Sequence, residues 1–340
     1  MRYRLLGRSG LRVSELCLGT MTFGTEWGWG ADALESHRIF NAYCEAGGNF
    51  IDTANRYTEG TSERLVGEFV RGDRDHFVVA TKYTLFDRKG DPNFSGNHRK
   101  NLVRSLETSL KRLGLDRIDL LWVHAWDFMT PVEEVMRALD DVVRAGKAHY
   151  VGISDTPAWI VSQANTLAAL RGFTPFVALQ IQWSLVERTP ERDLAPMARA
   201  FELAVTPWGA LGSGVLSGKY NEGKGEGGRA GQRGPIAEQR LRIAEAVRGL
   251  AGEIGRTPSQ VALAWLRQQP GNVIPILGAR RTDQIRDNLG CLDLALSAAQ
   301  MQRLDEASRI ELGFPHDFLA LPPIRDLAYG GTYDSIDKRS

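Results

Sequence analysis

Four residues of chemically active type stand at or just beyond the ends of short apolar runs: Asp52, Tyr57, Lys82 and His124. Asp52 closes the run Asn49-Phe50-Ile51-Asp52, and Tyr57 follows five residues later. Lys82 follows the run at 77–81, and His124 follows the run at 118–123. Runs of this length and type read as strands, and strands adjacent in a sheet lie about 5 Å apart. The four groups can therefore converge on one small volume, an unusual concentration of ionisable side chains. Each taken singly has a plain structural role: Asp as a helix cap, Lys as a solvated surface cation, His as a packed core residue. Taken together on neighbouring strands, with a tyrosine at the same rim, they favour chemistry. A metal site is a poor use of this set, because Lys and Tyr are weak substitutes for several His, Asp or Glu ligands and no second His stands at ligand spacing. No Gly-x-Ser-x-Gly elbow points to a serine hydrolase. The glycines at 7 and 10 precede an extended segment and do not form a Gly-x-Gly-x-x-Gly dinucleotide fingerprint.

The elements that must carry these residues alternate along the chain. Residues 3–6 and 11–14 flank Gly7-Arg8-Ser9-Gly10 and read as an opening hairpin. Eight strands are predicted at 15–19, 49–52, 77–81, 118–123, 149–153, 177–181, 203–207 and 273–276. Helical patterns fall near 32–46, 62–71, 100–113, 132–146, 157–171 and 192–201. In the third of these, Leu102, Leu106, Leu110 and Leu113 make one apolar face and Gly114 marks its stop. Strands alternating with helices in this number predict a parallel sheet closed into a (β/α)8 TIM barrel with an N-terminal β-hairpin; an open doubly wound sheet is the alternative. Two further helices at 236–254 and 258–269 precede the eighth strand, and one at 298–309 follows the barrel. The barrel is placed at about 15–290 within a single domain spanning 1–340. The glycine- and charge-rich stretch 218–235 reads as a long loop on the ligand-binding face or as a surface insertion. The tail from about 311 reads as irregular, with Phe314, Phe318, Leu319 and Leu321 suggesting that its first part packs against some surface.

Composition narrows the classes. The 340 residues are 43% hydrophobic and carry 42 basic against 41 acidic groups, a net charge of +1. No basic stripe supports a nucleic-acid or membrane-surface partner, and no run of 18 apolar residues predicts a membrane span. Cys17, Cys44 and Cys291 are far apart and read as reduced core thiols of a cytoplasmic protein. A homo-oligomer is left open.

In these residues the chain resembles the aldo-keto reductase family along nearly its whole length. The likeness is carried by Leu18-Gly19-Thr20-Met21, Asn49 through Tyr57, Glu63-Arg64-Leu65-Val66-Gly67, Ala80-Thr81-Lys82 and Arg112 through Leu120 leading to His124. It continues in Gly152-Ile153-Ser154-Asp155, Gln180, Thr206-Pro207-Trp208, Gly214 through Tyr220, and Gly278-Ala279-Arg280 with Gln284 and Asn288. The segment at 208–220 and the last region look closer to the branch of bacterial reductases and potassium-channel beta subunits than to the steroid-reducing branch. The resemblance implies NADPH-dependent reduction of a small-molecule carbonyl: Tyr57 the proton donor, Lys82 paired with Asp52 to lower the tyrosine pKa, and His124 orienting the substrate oxygen.

The family pattern also implies a cofactor site. Ser154, Asp155 and Gln180 fall at the nicotinamide carboxamide and Trp208 at the stacking position. Asp155 stands where the branch commonly has asparagine. Gly19, Thr20, Met21, Gly209, Leu211, Ser213, Leu216 and Lys219 join the cofactor set, the loop residues toward the pyrophosphate. Gly278, Arg280, Gln284 and Asn288 fall at the adenosine end. Arg280 is the candidate for the 2′-phosphate, which favours NADPH over NADH. Trp27, Tyr57, Tyr83, His124 and Trp126 are expected to line the substrate pocket, with Trp29 and Phe128 nearby. The rival readings are a non-catalytic nicotinamide-nucleotide-binding regulatory subunit and, more weakly, a metal-assisted lyase or isomerase.

Overall fold

The chain opens with an antiparallel hairpin, β1 (Tyr3–Leu5) and β2 (Arg12–Ser14). In this computed structural model, which describes residues 1–221 and 234–337, the remaining strands form one parallel sheet. They run in chain order as β3 (Cys17–Gly19), β4 (Phe50–Asp52), β5 (Val78–Tyr83), β6 (Ile118–Val123), β7 (Ala148–Ser154), β8 (Phe176–Gln182) and β9 (Ala204–Trp208). Both edges of the sheet are then taken by a single stretch of chain. β10 (Asn272–Val273) pairs with β9, and β11 (Ile276–Gly278) pairs with β3. The sheet thus closes into the (β/α)8 barrel that the alternation predicts. The eighth strand, expected at 273–276, is split at Pro275, which has no N–H to give a ladder. Ile274 N–H still donates to Val205 O on one side (2.8 Å), and Pro275 O accepts Cys17 N–H on the other (2.9 Å).

Side chains alternate across each strand, and the two buried clusters follow that alternation. Cys17, Phe50, Val78, Ala80, Leu120, Trp122, Ala178 and Ala204 fill the barrel interior together with Leu6 and Val13 of the hairpin. The hairpin therefore plugs the N-terminal end of the barrel. Gly7 makes that fit: it sits at φ +57°, and a Cβ there would meet Val177 O at 2.0 Å. The larger cluster lies between sheet and helices.

The surrounding helices are α1 (Ala33–Glu45), α2 (Thr61–Val70), α3 (Arg99–Leu113), α4 (Val132–Arg144), α5 (Ala158–Arg171) and α6 (Leu194–Ala200). They are followed by α7 (Glu238–Glu253), α8 (Pro258–Arg267), α9 (Thr282–Leu289) and α10 (Ala298–Ala307). All four leucines of the α3 face are buried, and Gly114 ends the helix at φ +65°. Helix α9 is an addition to the expected set. Only Ile285 and Leu289 mark its apolar face, and its start is held from afar by Glu35, which accepts Thr282 N–H at 2.6 Å and Thr282 Oγ1 at 2.8 Å.

The tail corrects the expectation that its apolar residues pack. Phe314, Phe318, Leu319 and Leu321 are 85%, 45%, 55% and 49% exposed. They belong to α11 (His316–Leu319), α12 (Pro322–Tyr329) and the turns around them. Prolines 315, 322 and 323 cut this stretch into pieces too short for a continuous buried face. Most of the loop predicted at 218–235 lies outside the described residues.

Candidate active site

One step of strand alternation separates the barrel core from the site. Two residues beyond an inward-facing core residue on each strand comes Gly19 after Cys17, Asp52 after Phe50, Lys82 after Ala80 and His124 after Trp122. Gln180 after Ala178 and Thr206 after Ala204 follow the same rule. The strands are parallel, so all of these face inward at one end of the barrel, the end carrying the βα loops.

Lys82, fully buried, pairs with the Asp52 carboxylate. It donates as well to Thr53 O at 2.8 Å and to the Tyr57 hydroxyl at 3.0 Å. An ammonium can only donate, so Tyr57 Oη is the acceptor in that bond. The phenolic proton finds no acceptor among the described residues and remains available to a ligand. Asp52 is steadied on its other oxygen by Gln180 Nε2 at 3.1 Å. Burial works against the charge on Lys82, but Asp52 and Tyr57 together raise its pKa, so it stays cationic. Burial also raises the Tyr57 pKa, although the Lys82 charge pulls it down. The expected lowering by Lys82 is thus present but outweighed, and the phenol is held protonated at neutral pH.

His124 lies edge-on to Tyr57, with ring centroids 5.8 Å apart and an interplanar angle of 84°. Its Nδ1 is sealed with no partner, which leaves Nε2 as the nitrogen able to meet a ligand. A buried lone pair is tolerated better than a buried N–H, so the Nε2–H tautomer is favoured. Burial, with Lys82 nearby, holds the imidazole well below its usual range and therefore neutral. Trp27 stands edge-on to Tyr57 at 6.5 Å and donates from Nε1 to Glu59 Oε1 at 3.2 Å.

The loop bearing Tyr57 is fixed from below. Thr58 and Glu59 take left-handed backbone conformations (φ +45° and +54°). Arg112 donates to Asn55 O at 2.7 Å and pairs with the buried Glu63 at 3.2 Å. Such strain persists where surrounding structure over-determines it.

On the far side of the barrel mouth, Trp208 donates from Nε1 to Asp155 Oδ1 at 3.0 Å. Ser154 Oγ and Thr206 Oγ1 are buried without a well-formed hydrogen bond. After Trp208 the chain makes a tight turn through Gly209, Gly212, Ser213 and Gly214, all at positive φ, and Lys219 folds back over Gly214. Further on, Arg280 N–H is held by Gln284 Oε1 at 2.9 Å. Arg281 pairs with Asp283, whereas the Arg280 guanidinium pairs with no carboxylate among the described residues.

The aldo/keto reductase family pattern matches residues 15–309. The chain belongs to this family. Among its relatives, a norsolorinic acid reductase of Aspergillus flavus is 40% identical over 332 residues, covering 94% of this chain and 84% of that protein. An aryl-alcohol dehydrogenase [NADP(+)] of Phanerodontia chrysosporium is 39% identical over 329 residues, 90% and 86% of the two chains. An aldo-keto reductase of Emericella nidulans is 38% identical over 339 residues, 95% and 85%.

Within this aldo/keto reductase, several expected contacts need correction. Tyr83 follows Lys82 by one position, so it points to the opposite face of β5. It is 1% exposed in the outer core and donates to Asn97 O at 3.2 Å, which removes it from the pocket wall. Thr20 is fully buried, and its hydroxyl bonds Asp52 O at 2.9 Å and Ser62 Oγ at 2.8 Å, so it braces Asp52 from behind. Leu216 is buried in the outer core with its N–H given to Leu211 O, so it shapes the glycine turn. Trp126 is 9% exposed and lines a groove with Phe128, Met129 and Trp159 that includes none of Asp52, Tyr57, Lys82 and His124. Asn288 is 4% exposed. Gly19 is buried at the end of β3, where a Cβ would meet Ile276 Cγ2 at 2.5 Å, whereas Met21, Leu211, Ser213, Lys219 and Gly278 are partly or fully exposed. Thr206 was missed as a site residue, although it lies two positions before Trp208 on the same strand face.

Proposed function

We propose that this oxidoreductase reduces an aldehyde or ketone to the alcohol with NADPH, and that the whole chain forms one barrel domain for that purpose. The observation that carries the reading is the Lys82–Tyr57 bond, in which a buried cation donates to the phenol and leaves its proton free beside His124.

The residues present fit a nicotinamide nucleotide. Ser154 Oγ and Thr206 Oγ1 are buried polar atoms in want of a partner, and Gln180 and Asp155 stand beside them. Trp208 offers an aromatic face. The glycine turn at 209–214 with Lys219 suits a pyrophosphate, and Arg280 suits a 2′-phosphate as an unpaired guanidinium fork. When bound, the cofactor supplies hydride from nicotinamide C4.

The protein's own part is polarisation and proton delivery. His124 Nε2–H and Tyr57 O–H converge on the carbonyl oxygen and stabilise the negative charge that develops there. Tyr57 gives its proton to that oxygen. Lys82, held by Asp52 and Thr53, stabilises the tyrosinate left behind. Trp27 walls the substrate side. The reading is tested by mixing the protein with NADPH and a small aromatic aldehyde and following both reactants. Equimolar loss of NADPH and gain of alcohol is expected; binding without turnover across a panel of aldehydes and ketones would favour the regulatory-subunit reading instead.

A further inference from the structure

Asp155 carries a charge that the proton-transfer reading leaves unused. It follows β7 with φ +42°, a left-handed conformation uncommon for a residue with a Cβ. Its N–H donates to Gln180 O at 3.3 Å and its carbonyl accepts Trp126 N–H at 3.5 Å, which ties the backbone to both neighbouring strands. This turn aims the carboxylate at Trp208, whose indole N–H donates to Oδ1 at 3.0 Å. The residue is exposed at the barrel mouth, although burial of the carboxyl group itself raises its pKa.

At the proposed nicotinamide end the charges other than Asp155 cancel, Lys219 and Arg280 standing at the proposed phosphate end. Lys82 and Asp52 form a buried pair, His124 is held neutral and Tyr57 protonated. Asp155 therefore leaves the proposed nicotinamide end with one negative charge beside its aromatic face. The nicotinamide ring is neutral when reduced and cationic when oxidised, so a fixed negative charge next to it distinguishes the two states.

We propose that Asp155 biases this site toward the oxidised cofactor: the protein holds NADP+ more tightly, relative to NADPH, than it would with a neutral side chain at 155. The inference rests on the reading that the ring lies on Trp208.

The test is direct binding, without turnover. Quenching of tryptophan fluorescence gives Kd for NADP+ and NADPH with the full-length wild type and with Asp155→Asn at about pH 8, chosen well above the usual carboxylate range because burial raises the Asp155 pKa against the pull of the Trp208 N–H and Lys82. Asparagine keeps an oxygen for the indole N–H and removes the charge. The ratio Kd(NADP+)/Kd(NADPH) is expected to rise about five- to tenfold in the variant, chiefly through NADP+. Asp155→Ser serves the same measurement if the asparagine variant does not fold. A ratio that moves less than about twofold in the folded variant overturns the charge role while leaving the cofactor site standing. Wild-type protein that binds neither form overturns the nicotinamide reading itself, and the inference with it.

Discussion

Lys82 and Tyr57 meet at 3.0 Å, and the lysine brings to that contact a fully assigned set of donors: one to Asp52, one to Thr53 O, one to the phenol. An ammonium has three hydrogens, so its orientation is fixed by three partners and the Tyr57 oxygen has one direction left for its own proton. In the proposed reduction this arrangement makes the pair a pre-set acid.

Removal of the cation tests that arrangement from the lysine side. Lys82→Met is expected to lower kcat for carbonyl reduction by about 10²- to 10³-fold, because the tyrosinate loses its counter-charge. It is also expected to cost about 3 kcal/mol of stability, since Asp52 is left buried with Gln180 alone. Urea denaturation and steady-state rates check both numbers; an unchanged unfolding midpoint would show that Asp52 does not depend on the pair.

The pH dependence follows from the directions of the shifts. Tyr57 is raised by burial against the pull of Lys82, and His124 is lowered by burial and Lys82. The proposed reduction needs Tyr57 protonated and His124 neutral, and with these shifts both hold from about pH 6 to about pH 9, so the reductive kcat should be nearly flat there. In the reverse direction the tyrosine must be deprotonated, so alcohol oxidation should climb through the same range. A reductive profile that breaks near neutrality would assign the proton to another group.

Much of this was legible in the residues. The β6 range matches the predicted 118–123, and the four ionisable residues predicted to converge do lie at one rim of the barrel. Parity along a strand decides what adjacency cannot: Tyr83 is next to Lys82 in the chain and on the opposite face in space. The split at Pro275 was written in the sequence, but the hand-over from β9 to β3 depends on strands that pair across the whole barrel. Helix α9 was hidden because its face has only Ile285 and Leu289, and its start depends on Glu35, 247 positions away. The tail misled through composition, for apolar residues do not pack when prolines break the segment that presents them.

That tail gives a stability prediction. Arg188 anchors the end of α10 through Ser308 Oγ at 2.8 Å and Asp305 at 3.0 Å, and the apolar residues beyond are exposed. A chain ending at Gly313 is expected to melt within about 2 °C of the full protein. A loss above about 5 °C would show that the tail contributes to the barrel's stability.

Proton delivery by Tyr57 is isolated by Tyr57→Phe, because phenylalanine keeps the ring beside Trp27 and His124. NADPH consumption with a reducible aldehyde and NADPH binding are measured on the same preparation. In the variant kcat is expected to fall by at least about 10²-fold with Kd for NADPH within about twofold of wild type. Turnover retained at the wild-type rate would contradict it.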